Sequence, residues 1–257
     1  MDVEAYLRRI AYHGPRNPSA DTLRELHRRH LYTVPFENLD IALGIPIRLE
    51  LDALFDKLVR RRRGGFCYEL NGLFYELLKT LGFRVEMLSA RVRSADGGFS
   101  REFDHMLLRV ALEDPRIADV GFGDSSLDPV PMPPTALGDG EFKILPKNEC
   151  WDLVKRQNDG AYLPEYRFTE TPRQLSDFEE MCHFHQTSPE SHFTRKSVCT
   201  KALPNGRVTI SGMRLIETRD GGRRESALNS KEELRSCLAT QFGINLADDV
   251  DWSRLMR

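Results

Sequence analysis

The sequence has no internal repeat, no low-complexity tract and no apolar stretch of membrane-spanning length, and Met1-Asp2-Val3-Glu4 lacks the basic-then-apolar pattern of a leader. Those absences exclude a solenoid, a transmembrane protein and an exported one, and predict a cytoplasmic protein. Charge of one sign is missing too: 37 Lys and Arg stand against 39 Asp and Glu, for a formal net charge of -2. No electrostatic footprint for nucleic acid or an anionic membrane remains, and the lone basic run, Arg60 to Arg63, reads as a solvated helix end. Cysteines number five, odd and irregularly spaced, which argues against a disulfide framework and for a reducing compartment. Cys182, His183, His185, His192 and Cys199 cluster without Cys-x-x-Cys or His-x-x-x-His spacing, so no metal is expected. There is no P-loop or dinucleotide fingerprint, and Gly97-Gly98 and Gly221-Gly222 read as loop punctuation.

What is present is a chain of 257 residues, 40% hydrophobic, enough to bury a substantial core. The first third carries helical periodicity. Thr22 and Glu25 have capping-box spacing, and Leu23, Leu26, His30 and Leu31 follow at helical intervals until Pro35. Leu51, Leu54, Phe55, Leu58 and Val59 repeat the pattern. A third helix follows Gly64-Gly65, with Leu70, Leu73, Phe74, Leu77, Leu78 and Leu81 on one stripe and Gly82 as its stop.

From Arg84 the period falls towards two, which predicts strands over Phe103 to Leu112 and Ile117 to Phe122 with a turn at Glu113-Asp114-Pro115. Asp124 to Pro146 holds five prolines and reads as a long loop. Strands are expected at Cys150 to Val154 and Tyr166 to Thr169, then a helix through Leu175, Phe178, Met181 and Cys182 ending before Pro189. Val198 to Lys201 and Arg207 to Ile216 flank Pro204-Asn205-Gly206 as a hairpin, and a last helix runs from the Ser230/Glu233 capping box to Gly243. Helices first, strands next and a mixed tail make an α+β protein.

Cys67 sits in the first turn of the third helix. The thiolate is the nucleophile and a free thiol has a pKa of about 8.5, so the unpaired N–H groups and positive dipole end of a helix start would activate it. The two glycines would allow a substrate to approach the backbone closely, as in a turn that presents a nucleophile to an oxyanion site. A buried structural cysteine over a glycine turn fits the same residues. A nucleophile of this kind needs a base and the base an orienter. His105, in the apolar strand with Met106-Leu107-Leu108, and Asp119, before Val120-Gly121-Phe122-Gly123, are the candidates; each alone also reads as a paired core residue. They fall on adjacent strands, and the turn signal leaves the register open.

The segment Arg63-Gly64-Gly65-Phe66-Cys67-Tyr68-Glu69-Leu70-Asn71 resembles the active-site signature of the arylamine N-acetyltransferases. Val34-Pro35-Phe36-Glu37-Asn38-Leu39, Asp119-Val120-Gly121-Phe122-Gly123 and Ser188 to Thr200, with Ser191-His192-Phe193-Thr194-Arg195, agree in family order. The resemblance implies a helical domain over 1–83 carrying the nucleophile, a β-barrel-like domain over 84–188 carrying His105 and Asp119, and an α/β lid over 189–257, with a thiol-protease-like core. It implies a Cys67 thioester formed from acetyl-coenzyme A as donor substrate, with no bound cofactor, and an arylamine or arylhydrazine as acceptor. Phe36, Phe122 and Phe193 would line the acceptor pocket, and Glu37 would pair with Arg63 to hold the Cys67 turn. An amide synthase of related fold with a long acyl donor would use the same three residues, and a cysteine hydrolase would differ only in taking water as acceptor. A non-catalytic binding module predicts damage to Cys67, His105 or Asp119, and all three are intact. The physiological amine, the residues contacting coenzyme A and the oligomeric state are left open.

Overall fold

A short helix α1 (Val3–Arg9) leads to α2 (Ala20–Thr33), which begins at Ser19, whose hydroxyl accepts the Thr22 N–H at 3.1 Å. The capping signal thus lies three residues before the expected Thr22, which is itself buried under the first turn. Val34, extended ahead of Pro35, ends the helix, as the clash between a proline ring and a preceding helical residue requires. The structure, a computed structural model, describes residues 1–124, 126–133 and 140–256.

The two-residue strand β1 (Phe36–Glu37), α3 (Leu39–Leu43) and α4 (Leu51–Phe55) follow, and α4 runs on as a π-helical turn over Asp56–Arg60. The central helix α5 (Cys67–Thr80) ends at Gly82, whose φ of 88° is the left-handed stop its position predicts.

Among the described residues a seven-stranded antiparallel sheet comes next: β2 (Arg84–Val92), β3 (His105–Ala111), β4 (Arg116–Ala118), β5 (Val130–Pro131), β6 (Phe142–Lys147), β7 (Cys150–Arg156) and β8 (Tyr162–Phe168). In the order β5-β4-β3-β2-β8-β7-β6 it curls until β5 meets β6, an almost closed barrel. Leu88, Leu107, Ile117 and Phe168 fill its interior, while Met87, Met106, Leu108 and Val110 face outward onto the α5 core. Both faces of β3 are therefore buried, which explains its unbroken apolar run.

The strand expected to reach Phe122 ends at Ala118, because Asp119 turns out of the ladder to other partners. The stretch expected as one loop from Asp124 to Pro146 contains β5 and most of β6; residues 125 and 134–139 of it lie outside the described residues.

A 3-10 turn (Leu175–Phe178), α6 (Glu179–Thr187) and α7 (His192–Arg195) lead to β9 (Val198–Leu203), β10 (Gly206–Ser211), β11 (Arg214–Arg219) and β12 (Gly222–Ala227). The single strand expected over Arg207 to Ile216 is two, because Gly212 (φ 58°) folds it into a second hairpin. β1 completes this sheet, pairing Phe36 with Thr200 and Glu37 with Cys199. The final α8 (Lys231–Cys237) is capped by Ser230, extended by a π-helical turn, and stopped by Gly243 at φ 70°.

Candidate active site

Cys67 is the first residue of α5 and only 3% exposed. What holds it there is a buried chain of charges. The Phe66 N–H donates to Glu69 Oε2 at 3.1 Å, and Glu69 Oε1 accepts Lys57 Nζ at 2.8 Å. Lys57 also reaches Asp40 at 2.8 Å, and Arg63 spans Asp40 and the expected partner Glu37, each at 2.8 Å. Burial alone would raise Asp40, but Lys57 and Arg63 hold it below the usual carboxylate range; Glu69 is lifted by burial more than Lys57 lowers it.

The glycine pair serves this assembly. Glu37 N–H donates to Gly65 O at 2.8 Å, laying the turn along β1. A β-carbon on Gly64 would press into the Pro35 carbonyl oxygen, and one on Gly65 would lie 2.7 Å from Glu69 Oε2. At both positions a close approach that calls for glycine is made by the protein's own strand and carboxylate.

His105 opens β3 and Asp119 follows β4, both buried, and His105 Nε2 meets Asp119 Oδ2 at 2.7 Å. The register that brings them together pairs Leu108 with Ala118. Two residues missed in the sequence orient the acid. Asn71, one turn after Cys67, donates from Nδ2 to Asp119 Oδ1 (2.9 Å) and Met106 O (2.7 Å), and its Oδ1 accepts the Val120 N–H at 3.0 Å. His27 Nε2 accepts the Asp119 N–H at 3.1 Å while its Nδ1 faces Leu127 O at 2.9 Å, which fixes the neutral ring with its proton on Nδ1. Each is a polar residue set among the leucines of a buried helical stripe, the one signal that could have marked it.

Gly121 N–H also donates to Asp119 Oδ1, at 3.0 Å. A β-carbon at Gly121 would lie 2.8 Å from Cys67 Cα and 2.7 Å from Asn71 Nδ2, so the loop carrying the acid touches the nucleophile's own backbone.

The electrostatics run partly against the expectation of an activated thiol. Burial pushes Cys67 well up, Asp104 and Asp119 add to the rise, and a backbone hydrogen bond from Met106, the neighbour of His105, opposes it. A thiolate in this site thus needs an adjacent positive charge beyond the helix dipole. Burial alone would raise Asp119 too, but His105, Asn71 and Gly121 hold it below the usual carboxylate range, so it stays ionised.

Of the three phenylalanines, Phe122 stands edge-on to His105 with centroids 5.1 Å apart, and Phe36 and Phe193 meet at 6.2 Å. All three are half-buried. The ligand-like residues of the tail disperse: His185 pairs with Asp104 and Ser191, Cys182 meets Gln186, and Cys199 is buried in the core under the five-stranded sheet. Among the described residues no cluster of three His, Cys, Asp or Glu is placed to hold a metal ion, and no helix is long and apolar enough to cross a membrane.

Comparison with known proteins gives this geometry a lineage. A family model described as N-acetyltransferase matches residues 19–250. Arylamine N-acetyltransferase 1 of Homo sapiens is 35% identical, covering 96% of this chain and 95% of its own length. Arylamine N-acetyltransferase of Mycolicibacterium smegmatis is 36% identical, covering 96% and 94%. The solved structure of Mycobacterium marinum arylamine N-acetyltransferase in complex with CoA superposes with a TM-score of 0.88 at 32% identity, covering 99% of this chain and 97% of that one. With the family model, the sequence and the whole fold matched along nearly the full length, the chain belongs to the arylamine N-acetyltransferase family.

Proposed function

We propose that this protein transfers an acetyl group from acetyl-coenzyme A to an arylamine or arylhydrazine through a thioester on Cys67, with His105 as base and Asp119 as its orienter. The observation that carries the reading is the 2.7 Å His105–Asp119 contact at the start of β3, the strand that packs on α5 and whose Met106 backbone bonds to Cys67. Asp119 accepts from Nε2, so Nδ1 is the ring nitrogen left to take the thiol proton, and the resulting imidazolium supplies the positive charge that a buried thiolate requires.

In the first half-reaction the Cys67 sulfur attacks the thioester carbonyl, the carbon–sulfur bond to coenzyme A breaks, and the departing thiolate takes the proton from His105. In the second, the amine attacks the Cys67 thioester and His105 receives the amine proton as the carbon–sulfur bond breaks. Exchange between two thioesters is nearly balanced, so the acyl group stays transferable. Phe122 against His105, together with the Phe36–Phe193 pair, would form the aromatic wall for the acceptor.

The reading divides the chain at 1–83, 84–188 and 189–257 and places the protein in the cytoplasm, where five free thiols stay reduced. Intact-protein mass spectrometry after acetyl-coenzyme A alone is expected to show one added acetyl, mapped to Cys67. An acetyl on Cys150, Cys182, Cys199 or Cys237 instead, or an unmodified protein, would refute it, the latter pointing to a long-chain amide synthase.

A further inference from the structure

A second histidine–carboxylate couple stands against the same nucleophile, and the acetyl-transfer scheme does not use it. Asp104 directly precedes His105, and His185 on α6 approaches it, with Nε2 3.2 Å from Asp104 Oδ1. The contact is off the line of a straight hydrogen bond, so the carboxylate is met by the dipole of a nearby N–H and not by a linear bond. His185 Nδ1 lies 3.1 Å from Ser191 Oγ, which also accepts the Phe193 N–H at 3.2 Å. An ionised Asp104 can only accept, so a neutral ring carries its proton on Nε2, facing the carboxylate, and Nδ1 accepts the Ser191 hydroxyl proton.

The ring is 2% exposed and lies among the residues that bracket Cys67. It is stacked on Tyr68 (centroids 6.0 Å, planes 26° apart) and edge-on to Phe66 at 6.4 Å. The Tyr68 hydroxyl donates to Phe103 O at 2.7 Å and lies 3.2 Å from Asp104 O, which fixes the backbone carrying the carboxylate.

We propose that His185 is a positioning residue for acetyl transfer: paired with Asp104, it holds that carboxylate's charge off the Cys67–His105 pair. The inference rests on the function proposed above. His105 has an acid on each side in the chain, Asp119 bonded to it and Asp104 adjoining it in sequence. An unpartnered Asp104 would oppose a Cys67 thiolate and offer the imidazolium a competing acceptor. Asp104 is ionised despite burial that would raise it, because His185, Ser100 and His105 draw it below the usual range, and its charge is among the causes that push Cys67 up. The other titratable groups facing this region are Cys67 and Tyr68 of α5, His105 and Asp119 at the barrel edge, and Cys182 one turn earlier on α6. His192 lies across the Phe193 ring, and Arg101 and Glu190 pair with each other at the rim, 3.2 Å apart.

The test is the pH dependence of Cys67 alkylation by iodoacetamide, which needs no acyl donor. His185→Phe keeps a flat ring against Tyr68 and removes the proton facing Asp104. Its alkylation midpoint is expected to rise by about one pH unit, the low end for a like charge set free nearby, with about a tenfold loss of rate at neutral pH. Adding Asp104→Asn is expected to return the midpoint to its wild-type position, and His185→Gln, which keeps an N–H donor, to stay near wild type. If His185→Phe does not fold, Ser191→Ala, which frees the tautomer but leaves the ring, enters the same cycle with the same expectations. An unchanged midpoint in a folded variant, or a rise that Asp104→Asn does not reverse, would overturn the proposal and leave His185 as packing. A wild-type Cys67 that titrates like an ordinary free thiol would instead defeat the Cys67–His105 reading, so the two failures are distinct.

Discussion

Replacing Asp119 with Asn keeps the shape of the side chain and removes its charge, and the surrounding donors decide how the amide must sit. Asp119 Oδ1 accepts from Asn71 Nδ2 and from the Gly121 N–H, while Oδ2 faces His105 Nε2. An amide nitrogen at the Oδ1 position would face two donors, so the carbonyl oxygen takes that place and the NH2 group turns to His105. Nε2 must then accept, the imidazole proton moves to Nδ1, and the nitrogen meant to take the thiol proton no longer can. The imidazolium also loses the carboxylate that stabilises it. Neutralising the carboxylate of a serine-protease triad costs about ten-thousand-fold in turnover, or about 5.5 kcal/mol at about 1.36 kcal/mol per tenfold. A loss of that order is expected here. Free coenzyme A released from acetyl-coenzyme A in the presence of an arylamine measures it, and the midpoint of Cys67 alkylation is expected to rise in parallel. Thermal unfolding and circular dichroism establish first that the variant is folded. A folded Asp119→Asn protein with near-normal turnover and an unshifted alkylation profile would show the tautomer argument to be wrong and Asp119 to be structural.

Gly64→Ala is expected to abolish soluble expression or lower the thermal midpoint severely, because the added methyl meets the Pro35 carbonyl; a variant as stable as wild type would refute the packing account. His27 is held below its usual range by burial, and His30 well below it by burial and Arg9. Both are neutral in the folded and unfolded chain above the unfolded value of about 6.5, so their share of stability is complete there. As pH falls the unfolded chain takes up protons first, and stability is lost from about pH 6.5 towards the depressed folded values, at up to about 1.4 kcal/mol per pH unit for each ring. Thermal midpoints against pH should show this decline and its flattening in His30→Gln. Exhaustive chelation is expected to leave acetyl transfer intact, and a loss restored by added zinc would contradict that.

Regular local signals were the legible part of the fold. The stripe from Leu70 to Leu81 with Gly82 behind it placed α5, because helical periodicity and a left-handed stop are written in adjacent residues. The strand ends were not legible. Asp119 leaves the sheet for His105 and Asn71, partners distant in sequence, and Gly212 turns a strand over without the proline or asparagine that usually marks such a turn. The packing need for Gly64 and Gly65 was not legible, because what crowds them, Pro35 and Glu69, is brought there by the fold. In the site, Cys67 announced itself through the glycine-led helix start, whereas Asn71 and His27 act only through contacts the tertiary structure creates. Helix-start logic also predicted an activated thiol without weighing the burial that works against it.

The Gly121–Cys67 contact bears on how this protein can change over time. Where two layers meet through side chains, every substitution resets the spacing between them a little. Here the loop bearing the acid comes directly onto the main chain of the helix bearing the nucleophile, and the Asn71 amide ties the two together. The gap is gauged by two backbones and one amide side chain, Asn71. Residues in the surrounding core are then free to drift without moving sulfur, imidazole and carboxylate relative to one another. Substitutions on the scale that separates this chain from a human relative 35% identical to it are then compatible with an unmoved site, provided position 121 carries no side chain.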